Sequence, residues 1–516
     1  MTTLPTGLPV VVDRAGGIPL AAQISGQLEA AVTGGVLRAG DRLPSSRDLA
    51  TTLGVSRTVV TNAYARLFAE GWLEGRHGSG TYVADVTPPP VSAPALRPGR
   101  ERGLRSAAPN VGGDPERRRV PPGRPVSPAN PAAPATDDPD WWTAIHARHS
   151  GLIDLQPGFS WADGIEPAAW RRAWRQAGSH LPSRWPDPHG LPALREEIAA
   201  YLRRSRGLAV TPEQVLVTQG VSSGLALLAD ALVAPGDKVG FEEPGYPTGR
   251  EVLHRAGGRV VPCRVDAHGI VPDELPGDLR LLYTTPAHQY PLGGRLPVNR
   301  RQALVAWARA TGALVVEDDY DSEFRYDVGP LPALHSMDPE VIVYLGTASK
   351  VLATAFGAGW LIGPPALVDE LAAMRPRLGV RIPEPVQHAV LALLRSGDLE
   401  RHVRKMRLEY ARRRAALVDG LTHGNGDAAA TGASLVPFRL LGDTAGMHVV
   451  LELPAAYPAE HLIEAAAERG VAVYPLDRYF AGPRTMSGLI LGYGTATLPQ
   501  VRRAAAELSR LLIPLT

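Results

Sequence analysis

The feature that most limits how this chain folds is an interruption. From Val86 to about Asp140 the sequence turns to Pro, Ala, Gly and Arg (TPPPVSAPALRPGRERGL, then ERRRVPPGRPVSPANPAAPA). A stretch so poor in aromatic and periodic apolar residues cannot bury enough surface to offset the entropy of ordering. It reads as a semi-extended, solvated linker over 86–140. Its arginines are open to contact with a nucleic-acid backbone as well as to simple solvation. The flanks therefore fold as separate cores, a compact one over 1–85 and a longer one over 141–516. At 516 residues, two or more domains are expected in any case.

Composition narrows the class. Hydrophobic residues make up 44% of the chain, and 54 Lys plus Arg nearly balance 52 Asp plus Glu, a globular rather than a disordered profile. No apolar run reaches the roughly 18 residues that span a bilayer. MTTLPTGLPVVVDRAGG lacks the basic start and cleavage site of a signal peptide. No membrane association and a cytoplasmic location are expected. The single cysteine, Cys263 in VVPC, excludes an internal disulfide and reads as core. Only three lysines occur, Lys238, Lys350 and Lys405, so few residues are available for amine chemistry.

Over 1–85 the pattern is helical and then strand-like. Leu20, Ile24, Leu28 and Ala31 fall on one face of a helix expected over 18–33. After GGVLRAGDRLP, Ser45 is placed to cap a second helix, with Asp48 three residues on, and Gly54 stops it. Ser56 caps a third helix through Val59, Val60, Ala63, Tyr64 and Leu67, which Gly71 ends. Two short helices joined by a tight Gly-containing turn make a helix-turn-helix. Trp72–Glu74 and Thr81–Val83 then read as the strands of a hairpin wing around Gly75–Gly80. Arg57, Thr58, Thr61 and Asn62 lie near the start of the last helix, where a recognition helix meets base edges. Arg47, with Arg76 and His77 of the wing, is placed to hold phosphates. Caps, turn, wing and basic residues agree on this reading over the blander one, a helical module that only docks on its neighbour.

The run GDRLPSSRDLATTLGVSRTVVTNAYARLFAEGWLEGRHGSGTYV resembles the winged-helix domain of the GntR family along nearly its whole length. That resemblance implies a double-stranded DNA operator as partner, touched by Arg47, Arg57, Thr58 and the His77–Gly78 wing tip.

From Trp141 onward, strands alternate with amphipathic helices, the pattern of an α/β domain with a largely parallel sheet. Three places in it carry chemistry. The strand Val215–Thr218 ends in Gln219-Gly220-Val221-Ser222-Ser223-Gly224, with a helix expected from about Leu225. Free N–H groups at a helix start, with serine hydroxyls beside them, form a phosphate cradle, although small residues at such a turn also serve packing. The buried strand Ala313–Val316 delivers Glu317-Asp318-Asp319-Tyr320-Asp321 at its C-terminal end, where ligands of open α/β sheets collect. A carboxylate set against a pyridine nitrogen keeps the ring protonated and electron-withdrawing. A solvated acidic loop or a cation site reads the same residues equally well. The strand Val341–Leu345 runs into Gly346-Thr347-Ala348-Ser349-Lys350. A lysine there, behind hydroxyl residues, suits a Schiff-base amine next to a phosphate site.

Together PGDKVGFEEPGYP, YTTPAHQYPLGGRLP, VVEDDYDSEFRY and YLGTASK resemble, in order and spacing, the MocR/GabR-type regulators. Those are GntR proteins whose effector domain has the fold-type I aminotransferase architecture. The resemblance covers essentially the whole chain. It implies an α/β protein: an N-terminal winged helix-turn-helix plus a large aminotransferase-like domain with a mainly parallel sheet and a smaller C-terminal α+β subdomain. It implies pyridoxal 5′-phosphate as cofactor, with Lys350 forming the internal aldimine, Asp318 on the pyridine nitrogen and Tyr320 on the ring oxygen. It further implies Tyr246 against the ring, Ser222, Ser223, Thr347 and Ser349 at the phosphate, and Gln289 near the ring. A homodimer is implied too, head-to-tail with exchanged N-terminal arms.

Three positions depart from the family pattern. Relatives carry an arginine seven residues after the Schiff-base lysine; here Gly357 stands there, with Arg375 and Arg377 as nearby substitutes. The loss costs roughly 1.5–3 kcal/mol per charge-assisted hydrogen bond to the phosphate. Catalytic aminotransferases place a carboxylate-clamping arginine where Ile490 stands in Leu489-Ile490-Leu491-Gly492-Tyr493. Trp185 replaces a tyrosine that commonly reaches the partner subunit's phosphate. The expected function is a DNA-binding transcription regulator that senses pyridoxal phosphate, an amine or an amino acid through Lys350, with transaminase turnover weak or absent. Two alternatives stay open: a regulator whose large domain has lost the cofactor and only dimerises, and a working aminotransferase localised by its DNA-binding module. No metal site is expected from Asp318, Asp319 and Asp321.

Overall fold

Local capping chemistry sets the N-terminal module. The computed structural model describes residues 10–14, 19–34, 36–76, 80–84, 151–326, 332–423, 436–442, 445–455 and 457–514. Helix α1 (Leu20–Thr33) buries Ile24, Leu28 and Ala31, as their spacing predicts. Helix α2 (Ser46–Leu53) starts where the Asp48 N–H donates to the Ser45 hydroxyl at 3.2 Å. It stops at Gly54, whose φ of 62° is the left-handed conformation that a Cβ disfavours. Helix α3 (Arg57–Glu70) follows Ser56, which has the extended backbone of a cap but not the side-chain hydrogen bond expected of it. The Tyr64 hydroxyl donates to the Pro44 carbonyl at 2.8 Å and ties α3 to the approach to α2. Strands β1 (Leu73–Arg76) and β2 (Gly80–Val83) pair antiparallel, with Leu73 opposite Val83 and Arg76 opposite Gly80. The hairpin thus extends further toward its tip than Glu74 and Thr81. His77 and Gly78, like the 86–140 linker, lie outside the described residues.

The large domain is built on an eight-stranded sheet. In chain order its strands are β3 (Val215–Thr218), β4 (Lys238–Glu243), β5 (Arg259–Asp266), β6 (Gly269–Ile270), β7 (Leu281–Thr284), β8 (Leu314–Asp319), β9 (Ile342–Thr347) and β10 (Gly359–Ile362). They are arranged β3-β10-β9-β8-β7-β4-β5-β6, and all run one way except β10 and β6. Strands β3, β7 and β9 are buried along their whole length, which is why they read as unbroken apolar runs rather than as alternation. Their shared direction brings the C-terminal ends of β3, β4, β7, β8 and β9 to one edge. Helix α4 (Val221–Leu232) begins directly after Gly220, earlier than the expected start at Leu225, so Ser222 and Ser223 lie in its first turn. Cys263 is buried in β5, and burial pushes its thiol up to about 11, as befits a core residue.

A smaller sheet forms the C-terminal α+β part. Its strands are β11 (Val436–Leu441), β12 (His448–Leu453), β13 (Tyr474–Pro475), β14 (Ser487–Gly492) and β15 (Leu512–Pro514), ordered β13-β14-β12-β11-β15. No helix among the described residues is long and apolar enough to cross a membrane.

The winged helix and the large domain touch at helix α5 (Val298–Thr311). Val298 is buried within the winged-helix core, and a Cβ on Gly71 would stand 3.2 Å from the Pro297 Cβ. Glu70, at the end of α3, is buried and accepts from Arg66 at 2.7 Å. Arg301 of α5 is also buried; it feels the charge of Glu70 and donates to the carbonyls of Leu296 at 2.8 Å and Pro332 at 2.9 Å.

Candidate ligand-binding site

A cavity of about 370 Å³ opens at the C-terminal edge of the large sheet. Lys350, Asp318, Tyr320, Tyr246, Ser222, Thr347 and Ser349 line it, so residues from separate stretches of sequence converge on one space. Lys350 follows the end of β9 and its Nζ donates to the Gly158 carbonyl. Burial pulls the Lys350 amine below the ordinary lysine range, while Asp318 and Asp321 act the other way. A Cβ on Gly158 would stand 3.6 Å from that Nζ and 4.0 Å from the Tyr290 hydroxyl, so the glycine leaves room beside the amine.

Asp318 is the penultimate residue of β8. Its Oδ2 accepts from the Tyr283 hydroxyl, whereas its Oδ1 is buried and has no hydrogen-bond partner. Burial, reinforced by Asp319 and Asp321, pushes Asp318 up to about 7, against the Tyr283 hydrogen bond and the nearby Lys350. A buried acceptor left unpaired costs about 1–3 kcal/mol unless a ligand satisfies it. The Tyr320 hydroxyl lies 2.9 Å from Nδ1 of His288. Tyr246 sits edge-on to Tyr290, with ring centroids 6.0 Å apart.

The opposite wall is a helix start. The first hydrogen bond of α4 runs from the Gly224 N–H to the Gly220 carbonyl at 3.1 Å. The N–H groups of Val221, Ser222 and Ser223 therefore have no acceptor within the helix. A Cβ on Gly220 would lie 3.8 Å from the Thr347 hydroxyl and 3.9 Å from that of Ser349, so both hydroxyls flank this end. The Ser349 N–H donates to the Thr347 hydroxyl at 3.0 Å and fixes it. An orphaned carboxylate oxygen, an amine and a hydroxyl-flanked helix N-terminus fit the ring nitrogen, aldehyde and phosphate of pyridoxal 5′-phosphate.

Several expectations need correction. Gln289 does not line the cavity: its amide donates to Pro244 O at 2.9 Å, Tyr290 O at 2.8 Å and Glu242 Oε2 at 3.2 Å. It holds the turn from behind, and its neighbour Tyr290 faces the cavity instead. Ser223 lies in the first turn of α4 but does not line the cavity either. Arg375 is buried and spent on the carbonyls of Pro188 at 2.6 Å and Val217, and neither it nor Arg377 lines the cavity. Gly357 has a φ of +61° with nothing within 4 Å of a Cβ placed there. Trp185 is 83% exposed on this chain. The Asp319 carboxylate is taken by Arg206 at 2.6 Å and Tyr344 at 2.7 Å. Among the described residues no cluster of His, Cys, Asp and Glu is arranged to hold a metal ion.

Sequence reasoning missed Gly158, Thr285, Tyr290, Arg478 and Tyr479, all of which line the cavity. Tyr290 stands beside Gln289 in an already notable run. Arg478 has no local signal at all. On the winged helix, Arg47, Arg57, Thr58, Thr61 and Asn62 are all exposed, and Arg57 Nε donates to Ser46 Oγ at 3.3 Å. Arg76 closes β1.

A winged helix joined to a sheet that gathers a lysine, an aspartate and a helix N-terminus at one edge defines a transcription regulator with an aminotransferase-type domain. Residues 157–484 match the Aminotransferase class I and II family, and residues 20–83 match the bacterial regulatory proteins of the gntR family. The chain belongs to the MocR-type transcription regulators, and it is a DNA-binding regulator with an aminotransferase-like domain. It is 36% identical to the HTH-type pyridoxine biosynthesis transcriptional regulator PdxR of Corynebacterium glutamicum, over 97% of this chain and 98% of that one. It is 34% identical to the probable rhizopine catabolism regulatory protein MocR of Rhizobium meliloti, over 94% and 92%. An archaeal alanine:glyoxylate aminotransferase superposes with a TM-score of 0.64 at 25% identity, covering 72% of this chain and 93% of its own.

Proposed function

We propose that the cavity holds pyridoxal 5′-phosphate, and that its occupancy by the cofactor or by an amine or amino acid changes how a head-to-tail homodimer grips a double-stranded operator. The observation that carries this reading is the buried Oδ1 of Asp318, which has no partner. A protonated ring nitrogen would satisfy it. The Tyr320 phenol would meet the ring oxygen, and Tyr246 would cover the ring. Ser222, Ser223, Thr347 and Ser349, with the N–H groups of α4, would receive the phosphate. When bound, the cofactor supplies an aldehyde that reacts with amines, and Lys350 would hold it.

Sensing rather than turnover follows from Ile490, an apolar residue where catalytic relatives clamp a carboxylate. The name of the PdxR relative favours a signal close to the cofactor's own supply. Gly357 favours a second reading, in which the large domain has lost the cofactor and only dimerises. On the DNA side, Arg57, Thr58, Thr61 and Asn62 would read bases, while Arg47 and the wing residues Arg76, His77 and Gly78 would hold phosphates. The effector can shift DNA affinity only by its differential affinity for the two arrangements.

The test is a visible spectrum of the purified protein with and without pyridoxal phosphate. A mobility shift on the DNA upstream of its own reading frame runs alongside. Colour and an effector-dependent shift are expected. Colourless protein with intact DNA binding would leave the dimerising scaffold.

A further inference from the structure

We propose that Arg478 is the anion-recognising residue of this cavity, and that the effector is a small primary amine bearing a carboxylate, its amine toward Lys350 and its carboxylate on Arg478. This rests on the reading of the cavity as an effector site and names the ligand class which that reading leaves open.

Two observations lead to it. The expected clamp position is closed, because Ile490 is fully buried in a core cluster with Val450, Tyr474 and Phe480. Arg478, in contrast, lines the cavity together with Tyr290, Lys350 and Tyr479, and it is the one guanidinium among the lining residues described.

Its position is built rather than incidental. Arg478 lies in the short turn Asp477–Tyr479 between β13 and β14. The Tyr479 carbonyl accepts from the Gly245 N–H at 3.0 Å and from Arg250 at 3.3 Å, and the Arg478 carbonyl accepts from Arg250 at 3.4 Å. Just beyond, Glu243 Oε1 accepts from the N–H groups of Ala481 at 2.6 Å and Gly482 at 2.8 Å. All these anchors come from the segment that presents Tyr246, so the turn is fastened to the cavity wall.

The electrostatic layout agrees. The Arg478 charge favours the ionised forms of Tyr290 and Tyr479, whose hydroxyls are 3.2 Å apart. The space beside Gly158 then links the Tyr290 hydroxyl to the Lys350 amine. A guanidinium fork offers a carboxylate two parallel charge-assisted hydrogen bonds. The hydroxyls of Thr347 and Ser349 flank the start of α4, on different elements, and are free to serve the cofactor's phosphate.

The full-length protein, with added pyridoxal phosphate, is titrated with 3-aminopropionate and 4-aminobutyrate. Ethylamine and propylamine serve as their carboxylate-free counterparts. Binding is read by the visible spectrum and, on protein without added cofactor, by calorimetry. Wild type is expected to prefer the amino acids at least tenfold, the fold-change of one charge-assisted hydrogen bond. Arg478→Gln is expected to erase that preference without weakening the amines, and Arg478→Lys to restore part of it. An unchanged preference in Arg478→Gln, or none in wild type, overturns the assignment even if colour develops. Loss of colour on dialysis of Arg478→Gln alone would also overturn it, because the anion held would be the cofactor's phosphate. Failure of wild type to colour sinks the cofactor reading only. A tenfold calorimetric preference that disappears in Arg478→Gln would still support Arg478.

Discussion

Nδ1 of His288 lies 2.9 Å from the Tyr320 hydroxyl and 3.0 Å from Asp321 Oδ2. One ring nitrogen thus joins a phenol on the cavity wall to a carboxylate buried behind it. His288→Ala strands that carboxylate, and an unpaired buried charge costs about 1–3 kcal/mol or more. A lower urea midpoint is expected, with partial recovery in His288→Ala/Asp321→Ala, where both partners are gone. An unaltered midpoint in the single variant would show that the pair contributes nothing.

Lys350→Ala removes the one amine that faces the cavity. Added pyridoxal phosphate is expected to give a visible band and a borohydride-trapped mass adduct in wild type, and background levels in the variant. A trapped adduct of equal yield in the variant would move the chemistry to Lys238 or Lys405.

Gly357→Arg restores the missing guanidinium at a position with open space around its Cβ. The left-handed backbone there disfavours any residue with a side chain, by roughly 1–2 kcal/mol. Slightly lower thermal stability but about tenfold tighter cofactor retention in equilibrium dialysis is expected. Gly357→Ala, which carries the strain without the charge, should lower stability alone. Equal retention in both variants would mean that an arginine here does not reach the phosphate.

Arg57→Ala takes away an exposed guanidinium from the first turn of α3. A base contact is worth about 1–3 kcal/mol of discrimination, so specific binding should fall tenfold or more and scrambled-duplex binding much less. Equal losses on both duplexes, measured by anisotropy, would make Arg57 a phosphate contact.

Glu29 of α1 is pushed up to about 7, by burial first and then by Glu70, against Arg66 and Arg301. The folded module therefore holds this proton more tightly than the unfolded chain does. Its stabilisation is complete below the ordinary glutamate range and is lost as pH rises through about 7. Urea midpoints of the full chain should decline from about pH 5 to about pH 8, and Glu29→Gln should flatten that slope. A midpoint that rises over the same window contradicts the assignment.

What could be read in advance follows from how local each signal is. Ser45, Gly54 and Gly71 punctuate the winged helix within a few residues of what they control, and the apolar runs of β3 and β9 announce buried strands. The start of α4 is harder, because Val221-Ser222-Ser223-Gly224 are weak helix formers and tertiary context overrides them. Gln289 and Tyr290 are adjacent in one turn, and only the assembled structure decides which of them faces inward. Arg478 reaches the cavity from a turn in the other subdomain, with no periodicity or motif to mark it.

Gly71 rests on Pro297, and a single loop of backbone runs from there back to Thr285 in the cavity wall. Arg301 grips that loop at Leu296 and Pro286, the latter at 3.5 Å, while facing Glu70 of the recognition helix. Reader and receptor are thus mounted on the same bracket. The tether between them can drift in length over evolution without cutting the wire. The seat under residue 71 cannot, since a larger side chain there would prise the reader off its mount.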